Sequence, residues 1–434
     1  MTLRQTLFWL HLAAGLISGV VIAIMCFTGT VLAFEKEIVA WSERDARRVE
    51  APHPGASRLP LDTLQQKLRA AHPESRPMSI VLQNDPLAAV AFPTGRTGGF
   101  YVNPYTGEVR QPNSVAMGRF MQFMVEWHRY LGFHGEVSRP RGKLINGVCN
   151  VAFLVLAITG LYLWMPRSWN WRALRPIVWF RQNSSTKARD FNWHNSIGFW
   201  TAPVLIVLTL TAMPISFRWA GNLLFTVTGT PLPAATTGGQ SAGAGAAAPA
   251  GISPATLDAR TLTLDELVTA AGKQMPEWKT ITLRINNGAA PGGRDGTGAQ
   301  GSSPRPDSAP PQARSDPQPA TLTVRENASW PRTATTTLTL NPFTGDALRR
   351  AGYAEMNAAQ QVRAWTRFLH TGEAVGKGGQ FIAGLACLGG LFLVYTGFAL
   401  SWRRFFGRPK QNGNPPHAGP CVDEQQPASA DRAN

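Results

Sequence analysis

Cysteine is scarce in this sequence, four residues in 434, and none stands in a CxxC or CxxCH arrangement. That excludes cysteine-ligated iron–sulfur clusters and covalently attached c-type haem, which need thiols at short fixed spacings. Cys26, Cys149 and Cys387 fall in long apolar runs and Cys421 in the polar C-terminal tail, so the segments between the runs have no disulfide framework. Acid is also in short supply, 26 Asp and Glu against 42 Lys and Arg. Much of the basic excess flanks the apolar runs instead of forming a stripe for phosphates, so no nucleic acid partner is expected.

What the sequence does have is four apolar blocks nearly free of charge, roughly Leu7 to Phe34, Leu144 to Met165, Asn195 to Phe217 and Phe381 to Trp402. Each is near the ~20 residues a helix needs to cross ~30 Å of hydrocarbon, so a lipid bilayer is the first partner. The first block is too long for a cleaved signal peptide and carries a pattern that recurs later, so it is expected to remain in the mature chain. Between blocks two and three lie Arg167, Arg172, Arg175, Arg181, Lys187 and Arg189 against one acid, Asp190, and block four is followed by Arg403, Arg404, Arg408 and Lys410. Both stretches are therefore expected in the cytoplasm, with both termini, and the two long segments on the far side. Trp9, Trp164, Trp193, Trp219 and Trp402 near the block ends suit an interfacial aromatic belt.

The chain repeats itself. HLAAGLISGVVIAIMCFTGTVLAF aligns without a gap on HNSIGFWTAPVLIVLTLTAMPISF, matching His11 with His194, Gly15 with Gly198, Thr28 with Thr211 and Phe34 with Phe217. Blocks two and four match Gly142 with Gly379, Gly147 with Gly384 and Thr159-Gly160 with Thr396-Gly397. In the exported segments YVNPYTGEV recurs as TLNPFTGDA, each after an amphipathic helical pattern and strand-like alternation. The fold class read from this is membrane α-helical, a four-helix bundle built from a two-fold internal repeat with two small α+β exported modules. The expected organisation is span one over 1–34, module one over 35–118, and an amphipathic helix with span two over 119–166. A basic loop follows over 167–193, then span three over 194–217 and module two over 218–360. A connecting helix with span four over 361–402 and a tail over 403–434 complete the chain. Module two carries Gly/Ala/Pro-rich insertions at 231–256 and 287–320, a composition that cannot bury enough apolar surface to order itself.

Of eight histidines, His53, His72 and His417 lie in polar or proline-rich surroundings and are expected at the surface. His11 and His194 sit about one turn inside the cytoplasmic ends of spans one and three. Gly15 and Gly19 share a face with His11, and Gly198 and Ala202 with His194. One such helix reads most simply as a close-packing contact. Two with the same ligand above the same small-residue stripe suit a planar macrocycle, with facing imidazoles filling the axial positions of a haem iron. On the exported side EWHRYLGFHGEV and AWTRFLHTGEAVG bring His128, His134 and His370 toward the outer surface. Internal alignment favours His134 as the partner of His370, whereas helical placement favours His128. Arg129 and Arg367 suit haem propionates, and equally suit an ordinary interface.

The motifs LAITGLYLWMPR, LVYTGFALSWRR, WHRYLGF, LHTGEAVG and the two NPxTG elements resemble the PepSY-associated transmembrane proteins of bacterial inner membranes, over nearly all of residues 1 to 410. The resemblance implies two periplasmic PepSY modules and, as in the family's reductases, two non-covalent b-type haems, each held by a histidine pair. Carried over, the inner ligands are His11 and His194 and the outer ones His128 and His370, with Trp127 standing where the family has leucine. The implied activity is that of a ferric-siderophore reductase, taking electrons from a cytoplasmic or quinol donor and releasing Fe(II) in the periplasm. A cytochrome b subunit serving another periplasmic acceptor, and a non-redox PepSY protein that binds peptide or regulates a protease, are the competing readings. No span shows a mid-membrane break or acidic ion site, which argues against a transporter.

Overall fold

Four helices carry the apolar blocks, each running 30 or 31 residues, and each is long and apolar enough to cross a membrane. The computed structural model describes residues 2–95, 98–112, 115–166, 168–181, 185–232, 260–285 and 319–407. In chain order these form α1 (Leu3–Leu32), α2 (Glu35–Ser42), α3 (Arg44–Arg47), α4 (Leu61–Ala71), β1 (Ser79–Gln83), β2 (Val90–Pro93), β3 (Gly99–Val102) and β4 (Val109–Arg110). Next come α5 (Val115–Tyr130), α6 (Gly135–Trp164), α7 (Trp171–Val178), α8 (Thr186–Ser216) and α9 (Arg218–Val227). The last part holds α10 (Leu264–Gln274), β5 (Trp278–Arg284), β6 (Ala320–Glu326), β7 (Thr336–Leu340), β8 (Ala347–Ala351), α11 (Ala358–His370) and α12 (Lys377–Phe406). The insertions expected at 231–256 and 287–320 fall almost wholly outside the described residues, and His417 and Cys421 lie outside them too.

At about 1.5 Å per residue the four long helices measure roughly 45 Å, more than the ~30 Å of a hydrocarbon core. The surplus explains why they outrun the apolar blocks: polar first turns such as Glu136 to Lys143 of α6 remain helical outside the apolar layer. In the bundle α1 packs on α6 and α12, and α8 packs on the same two, which leaves α1 and α8 diagonal to each other. A middle layer of Ile22, Cys26, Phe153, Leu205 and Ala386 fills the space between them. Gly390 lets α12 close on α1 there, since a Cβ at that position would lie 2.7 Å from Cys26 Sγ.

The segments between the spans build one continuous antiparallel sheet of eight strands in the order β4-β3-β2-β1-β5-β6-β7-β8. The two exported modules expected from the sequence are thus joined at their centre, where β1 pairs with β5 from Ser79↔Arg284 to Gln83↔Thr280. Alternate strand residues, among them Ile80, Phe92, Ile281, Leu322 and Leu338, turn to one face and are fully buried there against Leu64 and Leu68 of α4 and Ala271 of α10. Each large apolar side chain so buried contributes about 1.5–3 kcal/mol. The two covering helices cap each other: Leu61 N–H donates to Asp265 Oδ2 at 2.8 Å, and Leu264 N–H to Asp62 Oδ2 at 3.4 Å. Those carboxylates meet orphan donors at the positive ends of the helix dipoles.

Candidate functional site

α5 and α11 lie at the sheet end of the bundle, α5 against α1 and α11 against α8. α5 ends where Leu131 and Gly132 take positive φ values of 54° and 75°, so His134 falls at the N-cap of α6, exposed. His128, one turn back inside α5, points into the bundle. Its ring centroid is 6.3 Å from that of His370 on α11. Geometry therefore brings His128, and not His134, together with His370. Burial, followed by the neighbouring His370 and Arg129, pushes His128 down to about 3, and burial lowers His370 as well, so both rings are neutral.

Each of the four central histidines turns Nδ1 toward a threonine of a neighbouring helix. His11 Nδ1 meets Thr159 Oγ1 at 2.9 Å, His194 Nδ1 meets Thr396 Oγ1 at 2.9 Å, and His128 Nδ1 meets Thr28 Oγ1 at 2.9 Å. These hydroxyl protons are already spent on the threonines' own helices: Thr159 donates to Val155 O at 2.7 Å, Thr396 to Phe392 O at 2.8 Å and Thr28 to Ile24 O at 2.6 Å. The oxygen is left to accept, so the imidazole must donate Nδ1–H, and Nε2 keeps its lone pair. His370 reaches the same state by donating Nδ1–H to Leu208 O at 2.9 Å, with Thr211 Oγ1 at 3.5 Å. Ala212 stands in that half where the other has Gly29, whose bare Cα leaves His128 Cε1 3.5 Å from the place of a Cβ.

The Thr-Gly dipeptides have a division of labour. Thr159 and Thr396 accept from the inner histidines, while Gly160 and Gly397 vacate the space for the rings: a Cβ there would lie 3.3 Å from His11 Cε1 and 3.7 Å from His194 Cε1. A Cβ on Gly15 or on Gly198 would meet a single neighbour, at 3.8 and 3.6 Å, so both positions are open as the sequence pattern anticipates. Gly19 is not open, because Phe398 fills that part of the stripe at 2.7 Å. Seventeen residues separate His11 from Thr28 and likewise His194 from Thr211, which sets the two histidine levels about 25 Å apart along the helices.

The donor set fits haem. His128 and His370, with ring centroids 6.3 Å apart, are close enough that one metal atom held by both could lie between them. Among the described residues no group of three or more His, Cys, Asp or Glu stands ready for a bare ion. A histidine pair supplies only two donors and would suit a metal that brings the rest of its ligands, as iron in a porphyrin does. Two buried polar atoms near the levels also lack partners. Asn146, whose Nδ2 holds His128 O at 2.9 Å, has Oδ1 unbonded, and Trp164, stacked on Phe199 at 4.4 Å, has Nε1–H unbonded. In the sequence Trp164 stands out only as part of the aromatic belt, because it lies near a span end. Arg129 and Arg367 are exposed beside the outer pair, and among the described residues no acid pairs with either.

The family signature described as the PepSY-associated TM region matches residues 8–404 of the chain. No curated protein matches it.

Proposed function

The chain belongs to the PepSY-associated TM region family, and from that premise we propose that it is a di-haem b membrane protein reducing Fe(III)-siderophore on the far side of the inner membrane. The observation that supports this best is the set of four imidazoles, two per level, each with Nδ1 turned to a threonine hydroxyl or a carbonyl oxygen of a neighbouring helix, an arrangement that leaves Nε2 available to a metal. His11 and His194 would hold the inner group, and His128 and His370 the outer one. Haem, when bound, supplies reversible one-electron chemistry at each level.

The remaining work belongs to the chain. The threonines orient the ligands and raise their basicity by accepting Nδ1–H. Ile22, Cys26, Phe153 and Leu205 keep the layer between the levels dry. Trp164 at the inner level, and Arg129 and Arg367 at the outer, would receive propionates in this reading. At the sheet end one electron per ferric chelate converts Fe(III) to Fe(II), a softer, less charged ion that oxygen-rich chelators hold less tightly. The basic loop between α6 and α8 and both termini lie on the cytoplasmic side, where a soluble or quinol donor delivers electrons. In this reading the sheet comprises two PepSY modules and the chain is a two-fold repeat. The matched His–Thr pairs support that, as do the reciprocal caps of α4 and α10.

The test is an optical spectrum of the purified protein, oxidised and dithionite-reduced, with haem counted per chain. Two b-type haems are expected, one lost in His11→Ala or His194→Ala and the other in His128→Ala or His370→Ala, with His134→Ala retaining both. A folded colourless protein would leave only the non-redox reading. Two haems without reduction of any ferric chelate would make the chain a cytochrome b subunit for another acceptor.

A further inference from the structure

The loop between α6 and α8 has a use that the electron path does not absorb. α7 is an eight-residue helix with Trp171 and Arg172 at its start and Arg175 a turn later, and Trp179, Phe180 and Arg181 follow directly. Trp169, Trp171, Trp179 and Phe180 are 52–68% exposed. Arg172, Arg175 and Arg181 are exposed as well, and among the described residues no acid pairs with them. The one acid nearby, Asp190, is taken by Arg189 and Arg403.

The end of α7 is bound to α8. Ser196 Oγ donates to Ile177 O at 3.0 Å, Trp200 Nε1 to Val178 O at 2.9 Å, and Asn192 Nδ2 to Trp179 O at 3.1 Å, while Arg181 N–H donates to Asn192 Oδ1 at 2.9 Å. α8 thus ties down the end of α7 at the backbone of Ile177, Val178, Trp179 and Arg181.

The geometry points to α7 and its flanks as a binding surface for anionic phospholipid headgroups. Guanidinium groups match phosphate oxygens bidentately, and indoles settle at the headgroup level with their N–H toward the polar side. Fixed cations interleaved with exposed aromatic rings fit that layer. An acidic protein partner would meet the same charges but would leave four large apolar rings facing water beside it. Asn192 and Ser196 stand two residues either side of His194, so a lipid-seated α7 also steadies the helix that carries this histidine.

The full chain in nanodiscs of phosphatidylcholine, with phosphatidylglycerol titrated in, tests this by native mass spectrometry of retained lipid and by the thermal unfolding midpoint. Wild type should retain phosphatidylglycerol preferentially and unfold at a higher temperature as its fraction rises. A surface arginine contributes roughly fivefold to anionic partitioning, so R172Q/R175Q/R181Q should lose about a hundredfold in preference, with its midpoint in pure phosphatidylcholine unchanged. R172K/R175K/R181K should keep most of it. The inference is overturned if the glutamine variant retains phosphatidylglycerol like wild type, or if the lysine variant behaves like the glutamine one. It is equally overturned if soluble polyglutamate binds wild type as well in phosphatidylglycerol discs as in phosphatidylcholine discs, since the face would then be free. Lipid retention is read without regard to haem, so its outcome is independent of the redox reading.

Discussion

Replacing Thr159 by valine is the sharpest perturbation the structure offers, because the change keeps the side-chain shape and removes one oxygen. That oxygen accepts His11 Nδ1–H at 2.9 Å, and its own proton sits on Val155 O at 2.7 Å. Without it the Nδ1–H is a buried donor with no acceptor, a loss of about 1–3 kcal/mol. The ring escapes by moving the proton to Nε2, which could then not ligate a metal. Both routes weaken the inner site by the amount typical of lost outer-sphere hydrogen bonds, about 10–100-fold in affinity. The assay is haem per chain over a haem titration, with a potentiometric titration of the reduced spectrum. Thr159→Val should deplete or shift one haem and leave the other at its wild-type midpoint, Thr28→Val should affect the other one, and Thr159→Ser should behave as wild type. The reasoning is refuted if Thr159→Val binds two haems with unchanged midpoints, or if Thr159→Val and Thr28→Val disturb the same haem.

Asp190, 1% exposed, is held by Arg403 of α12 and by Arg189, which are themselves partly exposed, so Asp190→Asn weakens two charge-assisted hydrogen bonds without stranding a buried charge and should cost about 1–3 kcal/mol, seen as a lower unfolding midpoint in detergent. Gly372 has φ 72°, and a Cβ there would lie 2.7 Å from Gly379 O, so Gly372→Ala should cost more than the ~1–2 kcal/mol of a left-handed residue alone and displace α11, with loss of one haem. A third change tests pH dependence. Burial raises Asp265 above the ordinary aspartate range, so the folded protein holds this proton to higher pH than the unfolded chain does and its share of stability declines as pH rises through that window. Asp265→Asn should therefore gain on wild type between the ordinary aspartate value and the raised one, and match it below both, in unfolding midpoints measured across pH.

The spans were legible because an apolar run near 20 residues has one physical use, yet their true ends were not. Helical hydrogen bonding continues past the hydrocarbon edge through residues such as Arg139 and Lys143, whose polarity masks the continuation. Strand alternation was legible at Ile281, Leu283, Leu338 and Leu340, all buried. The β1–β5 pairing was not, because backbone ladders between distant segments leave no periodic trace in either. Thr159-Gly160 and Thr396-Gly397 stood out as repeated dipeptides, but their role depends on helix register, which places each hydroxyl under an imidazole of the neighbouring helix. The choice between His128 and His134 turned on the break at Leu131 and Gly132, a backbone event two residues long that outweighs the match between the flanking motifs.

The five residue pairs that zip β1 to β5 act as a yoke between the two halves of the sheet. Parting the two halves of the sheet in a clamshell motion would tear that seam, so the halves move as one body.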